Sequence, residues 1–326
     1  MALDREPLRR KLFRMHTDPK ALVVKAWNIP APVHCAPLHE MDHVFLLDMP
    51  DGARFVLKEI EIPSRVTAME MEYKVLAYLH SQGVPVARPL LTRDNSCYAV
   101  HDGRLYSLAP YLPSGETADA RALFRNMGAA IGKLHRALAA YPEKIDSWHI
   151  TLSPRIFNEA AGVLRKHLSE EERRPLLTVL STVEEEMKRA WSGLPEQHIH
   201  GDCHGGNIVV YAGQVTGFID CDHLPLGPRI YDLAYLLADR IKNALADGRE
   251  ASCLEMFHPL LDGYEGISPL TQAEKHAVGP VALGVQVIFT GHFAQRAKRE
   301  LVQKNANAFF WIHKHKEEIM RACCAG

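Results

Sequence analysis

The densest run of chemistry-bearing side chains is His200-Gly201-Asp202-Cys203-His204-Gly205-Gly206-Asn207, with Asp220 thirteen residues further on. An amide oxygen from Asn207 beside the Asp220 carboxylate would make a hard-oxygen site. Such a site suits Mg²⁺ held together with substrate phosphates. A second carboxylate, Asp202, lies five residues before Asn207; held off the metal, it can accept the proton of an attacking hydroxyl. Phosphoryl transfer needs this division of labour, because its transition state is stabilised mostly by positioning and charge.

For these groups to meet, Val209–Tyr211 and Val215–Phe218 must pair as a hairpin around a turn centred on Gly213. Position 211 then faces 215 and position 207 faces 219, so Asn207 and Asp220 come together at the open end. Asp202 reaches the same spot through a loop made compliant by Gly201, Gly205 and Gly206.

The elements around this hairpin divide the chain in two. Residues 4–27 read as one or two amphipathic helices with Leu8, Leu12 and Met15 on one side. Strands follow at Val33–Leu38, Val44–Asp48 and Arg54–Ile60, the last two joined by an Asp51-Gly52 turn. Thr67 and Glu70 form a capping-box pattern opening a helix to about Ser81, with Gly83 as its stop. Further strands are expected at Cys97–Val100 and Arg104–Leu112. From Ala118 the pattern becomes helical: 118–140, 153–168, 170–192, then after the hairpin 231–246, 252–264, 272–296 and 303–322. Ser169…Glu172 and Thr271…Glu274 are further capping boxes.

H-G-D-x-x-x-x-N followed by I-D at a hairpin end resembles the aminoglycoside phosphotransferase and choline kinase family, a branch of the protein-kinase-like fold. Other residues agree with that resemblance. Phe55-Val56-Leu57-Lys58 is similar to the strand whose lysine holds the α/β-phosphates. Glu72 matches the helix glutamate that pairs with that lysine. Gly83-Val84-Pro85-Val86, Ile131-Gly132-Lys133-Leu134-His135 and Asp232-Leu233-Ala234 match three more family segments. The resemblance implies an α+β, bilobal protein-kinase-like fold, with a small antiparallel-sheet N-lobe and a larger helical C-lobe. Residues 1–108 would be the nucleotide-binding lobe, 109–115 the hinge and 116–326 the C-lobe carrying the catalytic loop and acceptor site. ATP and Mg²⁺ are the implied cofactors. Asp202 would be catalytic, Asn207 and Asp220 metal ligands, and His200 and Asp232 supports of the catalytic loop. Lys58 and Glu72 would serve the nucleotide. Because Pro110 has no N–H, Tyr111 or Leu112 would donate to adenine.

The pattern also departs from the family and from ordinary protein kinases. There is no G-x-G-x-x-G, so the phosphate-covering turn would fall at His39–His43, which contains the acidic Asp42. Gly201 replaces the arginine of H-R-D, and eleven residues separate Asp220 from Asp232, too few for an activation segment. The short segment favours a small-molecule hydroxyl acceptor, and the resemblance implies an aminoglycoside, homoserine or a similar amino alcohol. Asp262-Gly263-Tyr264-Glu265 before Leu270-Thr271-Gln272-Ala273-Glu274 resembles homoserine-kinase-like members. A protein Ser/Thr kinase of the stress response type and a nucleotide-binding scaffold are the rival readings. A zinc hydrolase is a remote third, drawn from His198-x-His200 with Asp202 and His204. Cys203 and Cys221, beside the metal residues, read as small packing residues, and His135 as a packing histidine.

Composition narrows the remaining classes. The 326 residues are 47% hydrophobic and 24% charged with a formal net charge of −1. That balance gives no reason to expect a nucleic-acid or membrane partner. Ala277–Gly291 is the most apolar segment; it falls short of a membrane span and is interrupted by Gln286. The seven cysteines have no C-x-x-C spacing, which points to reduced thiols and a cytoplasmic location.

If Lys58 and Glu72 act as a unit, their losses will not add. Lys58→Ala should weaken ATP use strongly, Glu72→Ala less, and the double variant should resemble Lys58→Ala. Nucleotide KM and kcat for all four proteins check this; fully additive losses would dissolve the pair.

Overall fold

The structure is a computed structural model and describes residues 18–38, 41–61, 66–115, 119–146 and 153–324. The chain divides into two compact units. One is built on the chain up to Ser81 together with Val86–Leu112, the other on Gln82–Pro85 and the chain from Pro113. The boundary at Leu112/Pro113 falls inside the segment 109–115. Leu8, Leu12 and Met15 lie outside the described residues, as do His39 and Glu40 of the expected phosphate-covering turn.

In the first unit, helix α1 (Pro19–Trp27) precedes strands β1 (His34–Leu38), β2 (Met41–Asp48) and β3 (Arg54–Glu61). Helix α2 (Val66–Ser81) and strands β4 (Ala99–His101) and β5 (Arg104–Pro110) complete it. The strands form an antiparallel sheet in the order β1-β2-β3-β5-β4. Gly52 of the expected turn has φ 87°, and in the turn between β4 and β5 Asp102 and Gly103 have φ 48° and 75°. Leu57 packs in one cluster with Leu22, Val23, Trp27, Phe45, Leu47, Tyr106 and Leu108. Strand alternation therefore turns the neighbouring Lys58 to the opposite face, where it pairs in register with Val44 and Ser107. Helix α2 begins one residue before Thr67, so Thr67 belongs to its first turn and is not its cap. Its buried residues Met69, Val75, Leu76 and Leu79 form a stripe. Glu72, three residues after Met69 and three before Val75, lies on that stripe.

The second unit contains helices α3 (Ala120–Ala139), α4 (Pro154–His167) and α5 (Glu170–Trp191), then strands β6 (Glu196–His198), β7 (Ile208–Tyr211), β8 (Gln214–Phe218) and β9 (Leu226–Pro228). Helices α6 (Ile230–Ala246), α7 (Phe257–Glu265), α8 (Gln272–Gln295), α9 (Arg299–Lys314) and α10 (Lys316–Cys324) follow. Both downstream capping boxes form, at Ser169/Glu172 and Thr271/Glu274. Three features differ from the sequence reading, the first being that the expected helix 252–264 begins only at Phe257, after a short 3-10 turn at Glu250–Ser252. The short β6–β9 pair is additional to the single expected hairpin, and the expected helix 303–322 is two helices broken at His315. Helix α8 is longer than its apolar stretch suggested and passes, by length and composition, as a membrane span. Most of that window is buried, and α4, α5, α6, α9 and α10 all pack on the helix. Gln286, which interrupts the apolar run, is buried and donates to the Ala238 carbonyl at 2.8 Å. That bond fastens α8 to α6.

Helices α3 and α7 cross at unusually close range. A Cβ on Gly128 would stand 1.9 Å from the Leu260 carbonyl oxygen, and one on Gly263 2.0 Å from that of Arg125. The crossing therefore requires glycine on both helices. Gly128→Ala should destabilise the fold by about 1–3 kcal/mol, the usual range for overpacking. Gly162→Ala, in α4 with nothing within 4 Å of its added methyl, should be neutral or stabilising. Urea denaturation of the two variants checks the contrast; equal effects would refute it.

Candidate active site

The site is organised by a fully buried carboxylate. Asp232, in the first turn of α6, accepts from the His200 N–H (2.8 Å) and the Gly201 N–H (2.9 Å). Its Oδ2 also meets His135 Nε2 at 2.9 Å, and His135 Nδ1 meets the Tyr264 hydroxyl at 3.0 Å. Asp232 thus fixes the start of the 200–207 loop to α6, and through His135 to α3. Gly201 has φ 79°, and a Cβ there would stand 2.5 Å from the Pro225 ring. Two constraints therefore demand glycine at this position.

His200 completes the frame. Its Nε2 lies 3.0 Å from the Ile219 carbonyl, and its Nδ1 accepts from the Asp202 N–H at 3.3 Å. Burial pushes its pKa below the ordinary histidine value, so the neutral, Nε2-protonated ring fits both contacts. One imidazole thereby links the backbone of Asp202 to the residue preceding Asp220.

The Asp202 side chain is held by two neutral donors. The Tyr235 hydroxyl donates to Oδ1 at 2.9 Å, and Asn207 Nδ2 donates to Oδ2 at 3.0 Å. Asn207 Nδ2 also donates to the Asp202 carbonyl at 2.9 Å. With its nitrogen committed to Asp202, the carboxamide keeps its oxygen for another partner, as a metal ligand requires. Tyr235 is nearly buried; that burial, reinforced by the Asp202 charge, drives its hydroxyl pKa far above normal and keeps it a donor.

The hairpin reaches the expected register by a different route. Ala212 and Gly213, at φ 48° and 76°, form a two-residue turn that pairs Tyr211 with Gln214. An irregularity between Val209 and Val210 then shifts the ladder by one residue, giving Val209↔Gly217 and Ile208↔Phe218. At the open end the Ile219 N–H donates to the Asn207 carbonyl at 3.1 Å, so 207 does face 219. Asp220 follows in the left-handed region at φ 53°.

Asp202, Asn207, Asp220, His200 and Asp232 are thus brought together in the second unit, whereas Lys58 and Glu72 belong to the first. Tyr111 also lies in the first unit. Its N–H donates to the Arg54 carbonyl at 2.9 Å, prolonging the β3–β5 ladder, and the Arg54 guanidinium sits 4.2 Å above its ring. The zinc reading loses three of the ring nitrogens it needs. His198 Nδ1 lies 3.0 Å from the Leu224 carbonyl, and both ring nitrogens of His200 serve the backbone. Cys203 and Cys221 are buried, and burial raises the Cys203 thiol pKa well above normal, as an inert packing residue requires. Tyr235 was missed from sequence. Its signal was the spacing Asp232-x-x-Tyr235, which puts both on one face of a helix.

The two-unit architecture and this loop define a protein-kinase-like phosphotransferase fold. The chain matches the phosphotransferase enzyme family over residues 37–270, most of its length, and belongs to it. It is 28% identical to a homoserine kinase of Neisseria meningitidis serogroup B over 265 residues, covering 78% of this chain and 80% of that protein. It is 27% identical to stress response kinase A of Salmonella paratyphi A over 253 residues, covering 75% and 72%. The crystal structure of an aminoglycoside phosphotransferase from Alicyclobacillus acidocaldarius superposes with a TM-score of 0.66 at 17% identity, covering 94% of this chain and 97% of that one.

Tyr235→Phe deletes one of the two donors to Asp202 while keeping the ring. A hydrogen bond to a charged group contributes roughly 1.5–3 kcal/mol, so kcat should fall by ~10–100-fold. Nucleotide KM should stay within about twofold, since the nucleotide's proposed contacts lie elsewhere. Steady-state kinetics check this split; an unchanged kcat would remove Tyr235 from the machinery.

Proposed function

We propose that the protein transfers the γ-phosphoryl group of ATP to a hydroxyl of a small molecule. The carrying observation is the orientation of Asn207, whose Nδ2 donates to Asp202 at 3.0 Å. That bond separates the two tasks: the carboxylate is aimed as a base, and the carboxamide oxygen is left for a cation. Asn207 and Asp220 would hold Mg²⁺, a hard cation suited to their oxygens. Bound there, the metal would neutralise charge on the phosphates. Asp202 orients the acceptor hydroxyl and takes its proton. Lys58, steadied by Glu72, would hold the α/β-phosphates. With the Tyr111 amide engaged by Arg54, the adenine donor is assigned to Leu112.

A protein acceptor is the second reading, favoured by the 27% identity to stress response kinase A. The segment after Asp220 argues against it. It is pinned by the β6–β9 ladder and by the Ile199 N–H on the Pro225 carbonyl at 3.1 Å. Such a short, strapped segment does not form a long activation loop, which favours a small acceptor over an ordinary protein-kinase substrate, although the stress-response type also lacks such a loop.

Asp202→Asn preserves shape but cannot take the proton. ATP–Mg²⁺ should bind as in the wild type while turnover falls by ~10²–10⁴-fold. Asp220→Ala should instead abolish Mg²⁺-strengthened nucleotide binding. Calorimetry with AMP-PNP and Mg²⁺, alongside ADP release, measures both. Lost nucleotide binding in Asp202→Asn would make Asp202 a metal ligand, and near-normal turnover would place the base elsewhere.

A further inference from the structure

Helix α6 carries a guanidinium whose buried Nε has no hydrogen-bond acceptor among the described residues. Arg240 is half-buried, and its Nε is sealed from solvent with no hydrogen-bond partner among the described residues. The adjacent carboxylate, Asp239, is already engaged. Its Oδ1 takes Lys242 Nζ at 2.7 Å and its Oδ2 the Gly205 N–H at 3.1 Å. Arg249 adds a second positive charge to the surroundings. Burial accordingly pulls the Arg240 pKa below the usual arginine value. Asp239 attracts the guanidinium, but with both its oxygens engaged the sealed Nε–H is left without an acceptor, which is costly, so the position would suit an added anion.

Its place in the molecule indicates which anion. The Arg240 guanidinium carbon lies 2.8 Å from where a Cβ on Gly205 would stand, so it rests directly on the loop that runs from Asp202 to Asn207. The glycine makes that seat possible. Half-exposed His204 adjoins it, with Nε2 3.8 Å from Asp202. Arg240 approaches from α6, the helix that also holds Asp202 through Tyr235, whereas Asn207 and Asp220 adjoin the β7–β8 hairpin. The anion therefore belongs to the molecule delivered to Asp202.

We propose that Arg240 anchors a carboxylate of the phosphoryl acceptor, which is then a hydroxy acid or hydroxy amino acid and not a polycationic amino sugar. The proposal rests on the phosphotransferase reading above and adds the charge of its substrate. The planar guanidinium fork matches a carboxylate with two parallel hydrogen bonds, and the same cation repels an acceptor carrying several ammonium groups.

Matched acceptors test it: L-homoserine against 3-aminopropan-1-ol, L-serine against ethanolamine, and L-threonine against 1-aminopropan-2-ol, with kanamycin as the polycation. In each pair only the carboxylate differs. At least one carboxylated member should be turned over with kcat/KM ~10–100-fold above its partner, the range for a charge-assisted bond. Arg240→Gln should raise that acceptor's KM by a similar factor and erase the difference within the pair, with nucleotide KM little changed. Arg240→Lys, keeping the charge without the fork, should fall between. A decarboxylated amine or kanamycin used as well as the acids overturns the proposal, as does an Arg240→Gln loss falling on nucleotide KM, which would make the anion a phosphate. So does absence of both turnover and Arg240-dependent calorimetric binding for all three acids. The underlying reading fails separately, through loss of Asp220-dependent binding of AMP-PNP and Mg²⁺.

Discussion

The buried carboxylate of Asp232 is the constraint on which the site depends. Three donors converge on two oxygens: the His200 and Gly201 amides and the His135 ring. In a water-free setting each of those donors would be costly if left alone, and so would the carboxylate. The cluster therefore forms complete or at considerable cost. It fixes the entry of the catalytic loop, the direction of α6 and the packing of α3 together, because His135 continues to Tyr264 on α7.

Helix α6 extends that control along the loop. Asp232, Tyr235 and Asp239 fall at i, i+3 and i+7, a single face of a helix. In turn they hold the amides of 200 and 201, the side chain of Asp202 and the amide of Gly205. The loop has little regular structure of its own, yet it is as well located as the helix it hangs from. A site on a loop gains precision by this means.

Much of this could be read in advance, and the gaps have physical causes. Asp202, Asn207 and Asp220 stood out because metal and base chemistry restricts residue type and spacing. The helices after residue 118 were legible through capping boxes such as Ser169/Glu172, which are local signals. The β6–β9 pair was not, since three-residue strands carry no periodicity and form only because the chain on either side is already tied down. The hairpin register near Gly213 was misjudged by one residue, because a positive φ at Ala212 permits a tighter turn than its type suggests. The irregularity at Val209/Val210 compensates for that difference, so the functional end lies where alternation placed it. Tyr235 escaped notice because its partner is a side chain on a loop, a contact that no helical pattern announces.

The partners of Asp239 on α6 and of Asp202 on the loop separate the tasks of these two carboxylates. Asp239 faces a cation; although burial opposes its charge, Lys242 and the Gly205 amide hold its carboxyl below the usual range. Its charge is thereby spent on structure. Asp202 receives its hydrogen bonds from a phenol and a carboxamide, neither of which can neutralise it. Neutral donors fix a carboxylate's direction while leaving its negative charge available to an approaching hydroxyl, whereas a lysine in the same place would have quenched it. The His204 ring stands 3.8 Å away, beyond a hydrogen bond. The fixed cation Lys242 thus serves Asp239 beside Gly205, and Asp202, the proposed base, is left with neutral donors.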